Sequence, residues 1–312
     1  MNSAQETPFI ETKEYRQFAE FCAICDSEKR IGICYGPPGV GKTLSAKKLA
    51  GWDSARDTTY YVNRYPTKTK VSTLTSILLY TAQVANSPAQ VKQSIDKLRD
   101  RVRSIHIDDF DMTARPELDE IESKMAAIRA MQARRGLSTR AFKELQALTQ
   151  SAYSLRRRLE AQRVKIVDPT SLIIVDEADR LKDTSLEQVR DIYDRGDIGL
   201  VLIGMPGIEK RLARYPQLYS RVGLVHRFRK ISDEEMRLVL ADTWQPGGID
   251  LRNRGLSDPA ILAEIYRITD GNFRTLHRLV AEIARLVDLN HLRRVTTELI
   301  EIARDGLVIG VD

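Results

Sequence analysis

Short runs of apolar residues alternate, over the first 231 positions, with stretches in which apolar residues recur every three or four positions. The first pattern predicts buried β-strands and the second predicts amphipathic helices. Five strands are expected, in the segments RIGICY, TTYYVNRY, SLIIVDEADRL, IGLVLIGMP and LVHRFRKI. Because helical segments separate them, the pattern predicts an α/β fold whose parallel five-stranded sheet is covered by helices on both faces.

The helices of this region follow from the same periodicity. A lead-in helix is expected over residues 13–26, a second from the glycine-rich loop to about Gly51, and another from about Ser185. The stretch KVSTLTSILLYTAQVA is also predicted to be a helix, because its apolar residues have helical spacing. These residues are Val71, Leu74, Ile77, Leu78 and Val84.

Only helical patterns occur from Ser232 onward. The segment SDEEMRLVLADTW begins with a serine suited to capping a helix and has acidic residues in its first turn. Three or four further helices are expected, to about Asp305. The sequence therefore predicts an α/β domain over residues 1–231 and a small helical lid domain over residues 232–312.

Residues 113–164 interrupt the α/β pattern, since they carry almost no strand signal. Apolar residues are spaced three and four apart on two arms: Leu118, Ile121, Met125 and Ile128, then Leu145, Leu148, Ala152, Leu155 and Leu159. Gly136 suits a turn, and Ser138 suits the N-cap of the next helix. We expect an antiparallel helical hairpin whose longer arm, about 25 residues, would reach roughly 38 Å.

Composition and charge narrow the class of protein. The 312 residues are 42% hydrophobic, which is enough for a sizeable core. No apolar run approaches the roughly 18 residues of a membrane span, and no secretion signal is visible, so we expect a cytoplasmic protein with no membrane partner. The net charge of +6 permits a polyanionic partner without proving one.

Three cysteines agree with a reducing compartment. Cys22 and Cys25 form a CxxC, which raises the question of a metal site. They lie on the apolar face of the lead-in helix, and no second CxxC follows to complete four ligands. A place in the core is therefore the favoured interpretation.

The segment GICYGPPGVGKTLS contains the full phosphate-binding pattern GxxxxGK[ST], between a predicted strand and a predicted helix. Glycines let backbone amides curl round phosphates, Lys42 would reach the β and γ oxygens, and Thr43 would ligate Mg²⁺. The expected ATP-contacting residues are Gly36, Pro37, Pro38, Gly39, Val40, Gly41, Lys42, Thr43 and Leu44. ATP and Mg²⁺ are thus the expected cofactors.

A phosphate-binding loop of this kind needs an acid at the end of a neighbouring strand, and LIIVDEAD supplies it. Asp176 would hold Mg²⁺ through water, and Glu177 would orient or activate the attacking water. Asp108 and Asp109 also follow an apolar run, but the run is shorter and interrupted, so they are expected at the surface or in a turn. Asp179 is expected to be a helix-start acid and not a ligand.

These motifs stand in the order found in AAA+ ATPases, which the chain resembles. The resemblance implies that Arg221, in LYSRVG, is an arginine finger reaching a neighbouring subunit, and that Arg274, in GNFRTL, is the sensor-two arginine of the lid. Both cations would stabilise charge in the transition state. Met205 stands where AAA+ proteins usually carry a polar sensor-one residue, and methionine cannot polarise water, so hydrolysis is expected to be slow.

The stretch LIIVDEADRLKDTSLEQVRDIYDRGDIGLVLIGMPGIEKRL is similar to bacterial transposition ATPases of the TnsC and TniB type, relatives of MuB and IstB. The resemblance covers most of residues 8–285 but not 113–164. It implies an ATP-bound homo-oligomer, a ring or a helical filament, on duplex DNA. It also implies that this oligomer selects a target, recruits a transposase and a target-selection protein, and is dismantled by hydrolysis.

Two basic segments are candidates for DNA contact. Arg64, Thr67, Lys68 and Lys70 follow the second predicted strand and suit phosphate oxygens, which predicts backbone contact with little base reading. A solvated basic loop is the alternative. The hairpin carries Arg156, Arg157, Arg158 and Arg163, compatible with DNA contact, a protein-binding arm or a solvated face.

Two other functions stay open on the sequence alone. A replication initiator or helicase loader of the same superfamily would share the nucleotide site, although no segment after about residue 305 is long enough for a winged-helix domain. A signalling or scaffold ATPase would switch partners without DNA. It would then show no ATP-dependent mobility shift with duplex DNA.

Overall fold

A computed structural model describes residues 9–51, 76–135, 138–242 and 251–307. Several residues named above lie outside these ranges: the predicted strand TTYYVNRY, the basic residues Arg64, Thr67, Lys68 and Lys70, and Gly136, predicted in a turn.

Five parallel strands form one sheet in the order β2-β3-β4-β1-β5, which confirms the expected sheet. The strands are β1 (Ile31–Tyr35), β2 (Ile77–Thr81), β3 (Leu172–Asp176), β4 (Gly199–Gly204) and β5 (Val222–Arg227). The register pairs Cys34 of β1 with Ile203 of β4, and Val175 of β3 with Leu202 of β4. The ends of β1, β3 and β4 therefore meet at one edge of the sheet, where the phosphate-binding loop begins.

Strand β2 corrects the helix predicted for KVSTLTSILLYTAQVA. Its segment ILLYT is an edge strand paired in parallel with β3, Thr81 lying opposite Asp176. The four successive apolar residues 77–80 are compatible both with a helix and with a buried strand. Leu78, Leu79 and Tyr80 are all buried, because both faces of β2 are covered, and that burial decides for the strand.

Helices cover both faces of the sheet. On one face, α1 (Lys13–Ser27) and α2 (Lys42–Leu49) pack over a cluster that includes Phe18 and Cys34. The other face is covered by the start of α3 (Pro88–Arg135), by α5 (Asp183–Arg195) and by the short helices α6 (Ile208–Leu212) and α7 (Pro216–Tyr219). Ile33 faces this second cluster while its neighbour Cys34 faces the first, as the two-residue period of a strand requires.

The helical pair is longer than the sequence pattern indicated. Helix α3 has 48 residues and packs against α4 (Thr139–Val164), which Ser138 caps by accepting a hydrogen bond from the Ala141 amide. Helix α3 begins well before residue 113, since Val91 and Ile95 are buried in the sheet core. Asp108 and Asp109 are exposed as expected but lie within α3, so no turn occurs there.

Ion pairs join the two helices. Arg156 pairs with Glu122 at 2.5 Å, Arg158 with Glu117 at 3.3 Å, and Arg163 with Asp111 at 3.5 Å. Each is exposed, so each adds at most about 1 kcal/mol. Three of the four arginines in the basic cluster thus have partners within the pair of helices.

Four helices build a second core at the C-terminal side: α8 (Asp233–Asp242), α9 (Pro259–Thr269), α10 (Phe273–Leu289) and α11 (Thr297–Asp305). The cluster is wholly apolar and includes Met236, Ile265 and Ile283, each fully buried. Ser232 and Glu235 exchange hydrogen bonds between side chain and backbone, a capping box that starts α8.

The cysteines belong to the core. Cys22, Cys25 and Cys34 are free and buried, and burial raises the pKa of the Cys25 thiol to about 12. Over the described ranges, no group of three or more histidine, cysteine or acidic side chains could hold a metal ion. In the same ranges no helix is both long and apolar enough to cross a membrane.

Candidate nucleotide-binding site

The phosphate-binding loop turns sharply between β1 and α2. Gly39 and Gly41 have φ angles of 79° and 107°, in the region that favours glycine, and Gly41 is the N-cap of α2. The backbone amides at this helix start form the type of site that binds phosphate. Lys42 is the first residue of α2, so its side chain leaves the helix beside the loop.

The Lys42 ammonium lies across the loop. Its Nζ donates to the carbonyl oxygens of Gly36, at 2.5 Å, and Pro37, at 2.7 Å. Burial lowers the pKa of Lys42, and the charges of Asp176 and Asp179 oppose that shift. Two backbone carbonyl oxygens thus hold the Lys42 ammonium on the loop, and the nearby acids favour its charged form.

Asp176, the last residue of β3, is 2% exposed. Its Oδ1 accepts a hydrogen bond from the Glu177 amide at 2.9 Å, while its buried Oδ2 has no hydrogen-bond partner within the described residues. Burial raises the pKa of Asp176, and the Thr43 hydroxyl opposes the rise most strongly. A buried carboxylate oxygen in need of a partner, with a hydroxyl beside it, fits the oxygen-ligand preference of Mg²⁺.

Glu177 has an unusual backbone. Its φ of 54° and ψ of 38° place it in the left-handed region, which costs a non-glycine residue free energy and is found most often at functional sites. Its carboxylate forms an ion pair with Arg180. Burial raises the pKa of Glu177, and the Arg180 charge opposes the rise. The left-handed backbone at Glu177 ends β3 at Asp176 and starts the turn that follows.

Asp179 has a contact that the sequence did not indicate. It lies in a short 3-10 turn, Ala178–Arg180, as a helix-start acid would. In addition, its Oδ1 accepts a hydrogen bond from the amide of Met205, at 3.0 Å. Met205 directly follows β4, at the sensor-one position, and is 39% exposed.

The two candidate arginines have different surroundings. Arg274, near the start of α10, is exposed, and its backbone amide donates to the Gly39 carbonyl at 2.9 Å. Its charge lowers the pKa of Lys42, after the larger effect of burial. Arg221 pairs with Asp194 of α5 at 2.7 Å and donates to the backbone oxygen of Gln217. The Arg274 backbone thus contacts the phosphate-binding loop, while the Arg221 side chain is held on the α5 side.

Asn272 is a site residue that the sequence interpretation missed. Its Nδ2 donates to the Pro38 carbonyl at 2.9 Å, and its Oδ1 caps α10 by accepting from Arg274 and Thr275 amides. Asparagine after Gly271, at the start of a strongly periodic helix, is a readable N-cap signal, but the contact with Pro38 is not. The four-helix core therefore docks directly on the phosphate-binding loop.

Comparisons with known proteins agree with this geometry. The family described as AAA domain matches residues 25–212, more than half of the chain. A Potential ATP-binding protein of Staphylococcus aureus is 37% identical over 303 residues, covering 97% of each protein. The chain belongs to the AAA domain family. It is an ATP-binding protein with the P-loop AAA+ fold.

Three other similarities are more distant. The ATP-dependent target DNA activator B of Escherichia phage Mu is 32% identical over 101 residues, 30% of each protein. The Thermotoga maritima RuvB Holliday junction branch migration motor has a TM-score of 0.48 at 15% identity, over 97% of this chain and 71% of that one. The Aeropyrum pernix ORC1 protein in complex with DNA has a TM-score of 0.49 at 18% identity, covering 96% and 66%.

Proposed function

We propose that this protein is an ATP-dependent regulator of DNA transposition that assembles as a homo-oligomer on duplex DNA. In this role it selects a target, recruits and activates a transposase, and leaves the DNA after ATP hydrolysis. The similarity to the ATP-dependent target DNA activator B of Escherichia phage Mu, over 101 residues, supports the assignment of a DNA target. The resemblance of the DEADRL segment to TnsC and TniB supports the transposition part of the proposal.

The nucleotide chemistry follows from the site. Lys42 and the loop amides would hold the phosphates, while Thr43 and Asp176 would hold Mg²⁺, which neutralises phosphate charge when bound. Glu177 stands beside this group with its side chain partly exposed, as a residue that orients water must. Burial and the neighbouring acids raise its pKa, which increases its strength as a base.

The oligomer part of the proposal assigns opposite roles to two arginines. Arg274 contacts the loop of its own chain and would act in cis, whereas Arg221 would serve a neighbouring subunit in trans. Arg221 is 38% exposed and paired with Asp194, so it must exchange a carboxylate for a phosphate during assembly. Such an exchange makes assembly sensitive to nucleotide occupancy.

A nucleotide-trapping variant tests the proposal. With ATP and duplex DNA, Glu177→Gln should form long-lived rings or filaments in negative-stain images, because it binds ATP but hydrolyses it at least about 100-fold more slowly. Lys42→Ala should lose ATP and DNA binding together. Glu160→Gln, an exposed acid on α4, is the matched control and should behave as wild type. A Glu177→Gln protein that stays monomeric on DNA contradicts the oligomer model.

The DNA contact needs its own test. Changing Arg64, Lys68 and Lys70 together to Ala should weaken duplex binding and reduce its salt dependence, since each lost phosphate contact lowers the slope by about 0.9. The charge-matched control changes Arg129, Arg140 and Lys143, exposed positions of α3 and α4. If the control weakens binding equally and the first triple variant does not stand out, the loop assignment is wrong.

A further inference from the structure

The sensor-one position of this chain has no polar side chain. Met205 follows the last residue of β4, beside both β3 and β1, and its thioether cannot orient water. In a hydrolytic site, that edge of the sheet is where a polar group would contact the water near the γ-phosphate. ATP hydrolysis in this site therefore uses a polar group from another residue at that edge, or proceeds without a polar group there.

A carboxylate occupies this place. Asp179 reaches from the turn after β3 to the end of β4, where its Oδ1 accepts the Met205 amide at 3.0 Å. Gly204, the residue before Met205, lies against this carboxylate: a Cβ added at Gly204 would be only 2.7 Å from Asp179 Oδ1. A larger residue at 204 would displace the carboxylate, so the end of β4 is shaped to admit it.

The turn that carries Asp179 is fixed from the other side. Arg211 of α6 donates to the Asp179 backbone oxygen at 2.6 Å and also to the backbone oxygen of Leu181. Asn86 donates to the Arg180 carbonyl at 3.1 Å and accepts from the Lys182 amide at 3.3 Å. Contacts from two separate segments thus hold the backbone of the turn that carries Asp179.

The charge of Asp179 acts on the whole nucleotide site. It favours the charged form of Lys42 and disfavours the ionised forms of Asp176 and Glu177. The second carboxylate oxygen of Asp179 has neither a hydrogen bond nor an ion pair in the part of the chain that the structure describes. One oxygen therefore anchors the residue, and the other is left without a hydrogen-bond or ion-pair partner among the described residues.

We propose that Asp179 is the positioning residue that replaces the missing sensor-one side chain. Its Oδ1 fixes the backbone at the end of β4, and its other oxygen orders water between Lys42 and Glu177. This inference depends on the ATP hydrolysis in the proposed function. It adds a second acid to the residues that position water.

The test compares charge, anchor and rescue. Asp179→Asn keeps an oxygen that can accept a hydrogen bond from the Met205 amide. Its thermal unfolding temperature should therefore stay within about one degree of wild type, and its affinity for a fluorescent nucleotide within about twofold. Its kcat should fall about tenfold. Asp179→Ala should lower kcat further. Adding Met205→Asn, which puts a polar group back at the end of β4, should restore part of the lost kcat. Asp109→Asn, the same substitution at an exposed acid of α3, is the control and should change nothing.

The split between kcat and KM separates positioning from a merely structural role. Asp179→Asn should lower kcat while the KM for ATP stays within about twofold, because the carboxylate is proposed to position water and not to hold the nucleotide. An unchanged kcat in Asp179→Asn overturns the inference, as does a loss of kcat that follows only a loss of folded protein. If Glu177→Gln also retains wild-type turnover, the failure lies with the proposed hydrolysis instead.

Discussion

Replacing Gly39 with alanine should weaken the docking of the helical bundle on the phosphate-binding loop. The added Cβ would lie 2.5 Å from Asn272 Oδ1 and 2.9 Å from Arg274 Cβ, both too close for ordinary contact. Gly39 also has a φ of 79°, at which an L-residue is strained. The substitution therefore combines a backbone cost with the displacement of Asn272.

The loss of folding free energy in Gly39→Ala has three contributions. The left-handed backbone costs about 1–2 kcal/mol for alanine. Moving Asn272 removes its hydrogen bond to Pro38, worth about 1 kcal/mol, and disturbs its cap on α10, worth about 1 kcal/mol more. The expected loss is about 3–4 kcal/mol, a large part of the 5–15 kcal/mol typical of a folded domain.

A double-mutant cycle measures the contact. Urea denaturation followed by circular dichroism would compare Gly39→Ala in the wild-type chain and in an Asn272→Gly chain. Glycine keeps most of the N-cap function and cannot clash, so Gly39→Ala should cost about 2 kcal/mol less in that background. An equal cost in both chains would refute the argument that Asn272 requires glycine at position 39.

Two further predictions concern ionisable groups. Arg180→Ala should move the acid limb of the ATPase pH profile to higher pH, because Arg180 opposes the rise that burial imposes on the pKa of Glu177; an unmoved limb would contradict this. His226 lies among phenylalanine rings, with its Nε2 atom 3.8 Å from Oε1 of the buried Glu14. Burial lowers the pKa of His226. The unfolded chain therefore binds a proton that the folded chain excludes, and the free energy of unfolding should fall as pH drops through about 6.5. His226→Phe should flatten this fall in urea denaturation at pH 7 and pH 5.5, and an equally steep fall would count against it.

Local signals explain which elements the sequence could predict. The loop from Gly36 to Thr43 is recognisable because its glycines, lysine and threonine have fixed spacing between a strand and a helix. The segment LIIVD is a short continuous apolar run that ends in an acid, and the bundle after Ser232 has strong helical periodicity. These elements were placed correctly because their residues determine them without distant partners.

Distant partners decide the features that the sequence did not reveal. The segment ILLYT is a strand because it pairs with β3 and because helices cover both of its faces, whereas its residue pattern fits either structure. Asp179 is hydrogen-bonded to Met205, which is 26 residues away in the chain, and Asn272 to Pro38, which is 234 residues away. No local pattern encodes such contacts, so the sequence predicts only a helix-start acid at Asp179.

The length of α3 gives the hairpin a mechanical property. Its first turns are buried in the sheet core against α5, and about 33 further residues, or roughly 50 Å, extend from Val102 to Arg135. Helix α5 begins at Asp183, at the end of the segment that holds Glu177 and Asp179. By simple geometry, a tilt of about 10° at the base would move the far end by about 9 Å. A small displacement of α5 beside the nucleotide site would thus become a displacement at the far end of α3 that is large enough to make or break a contact there.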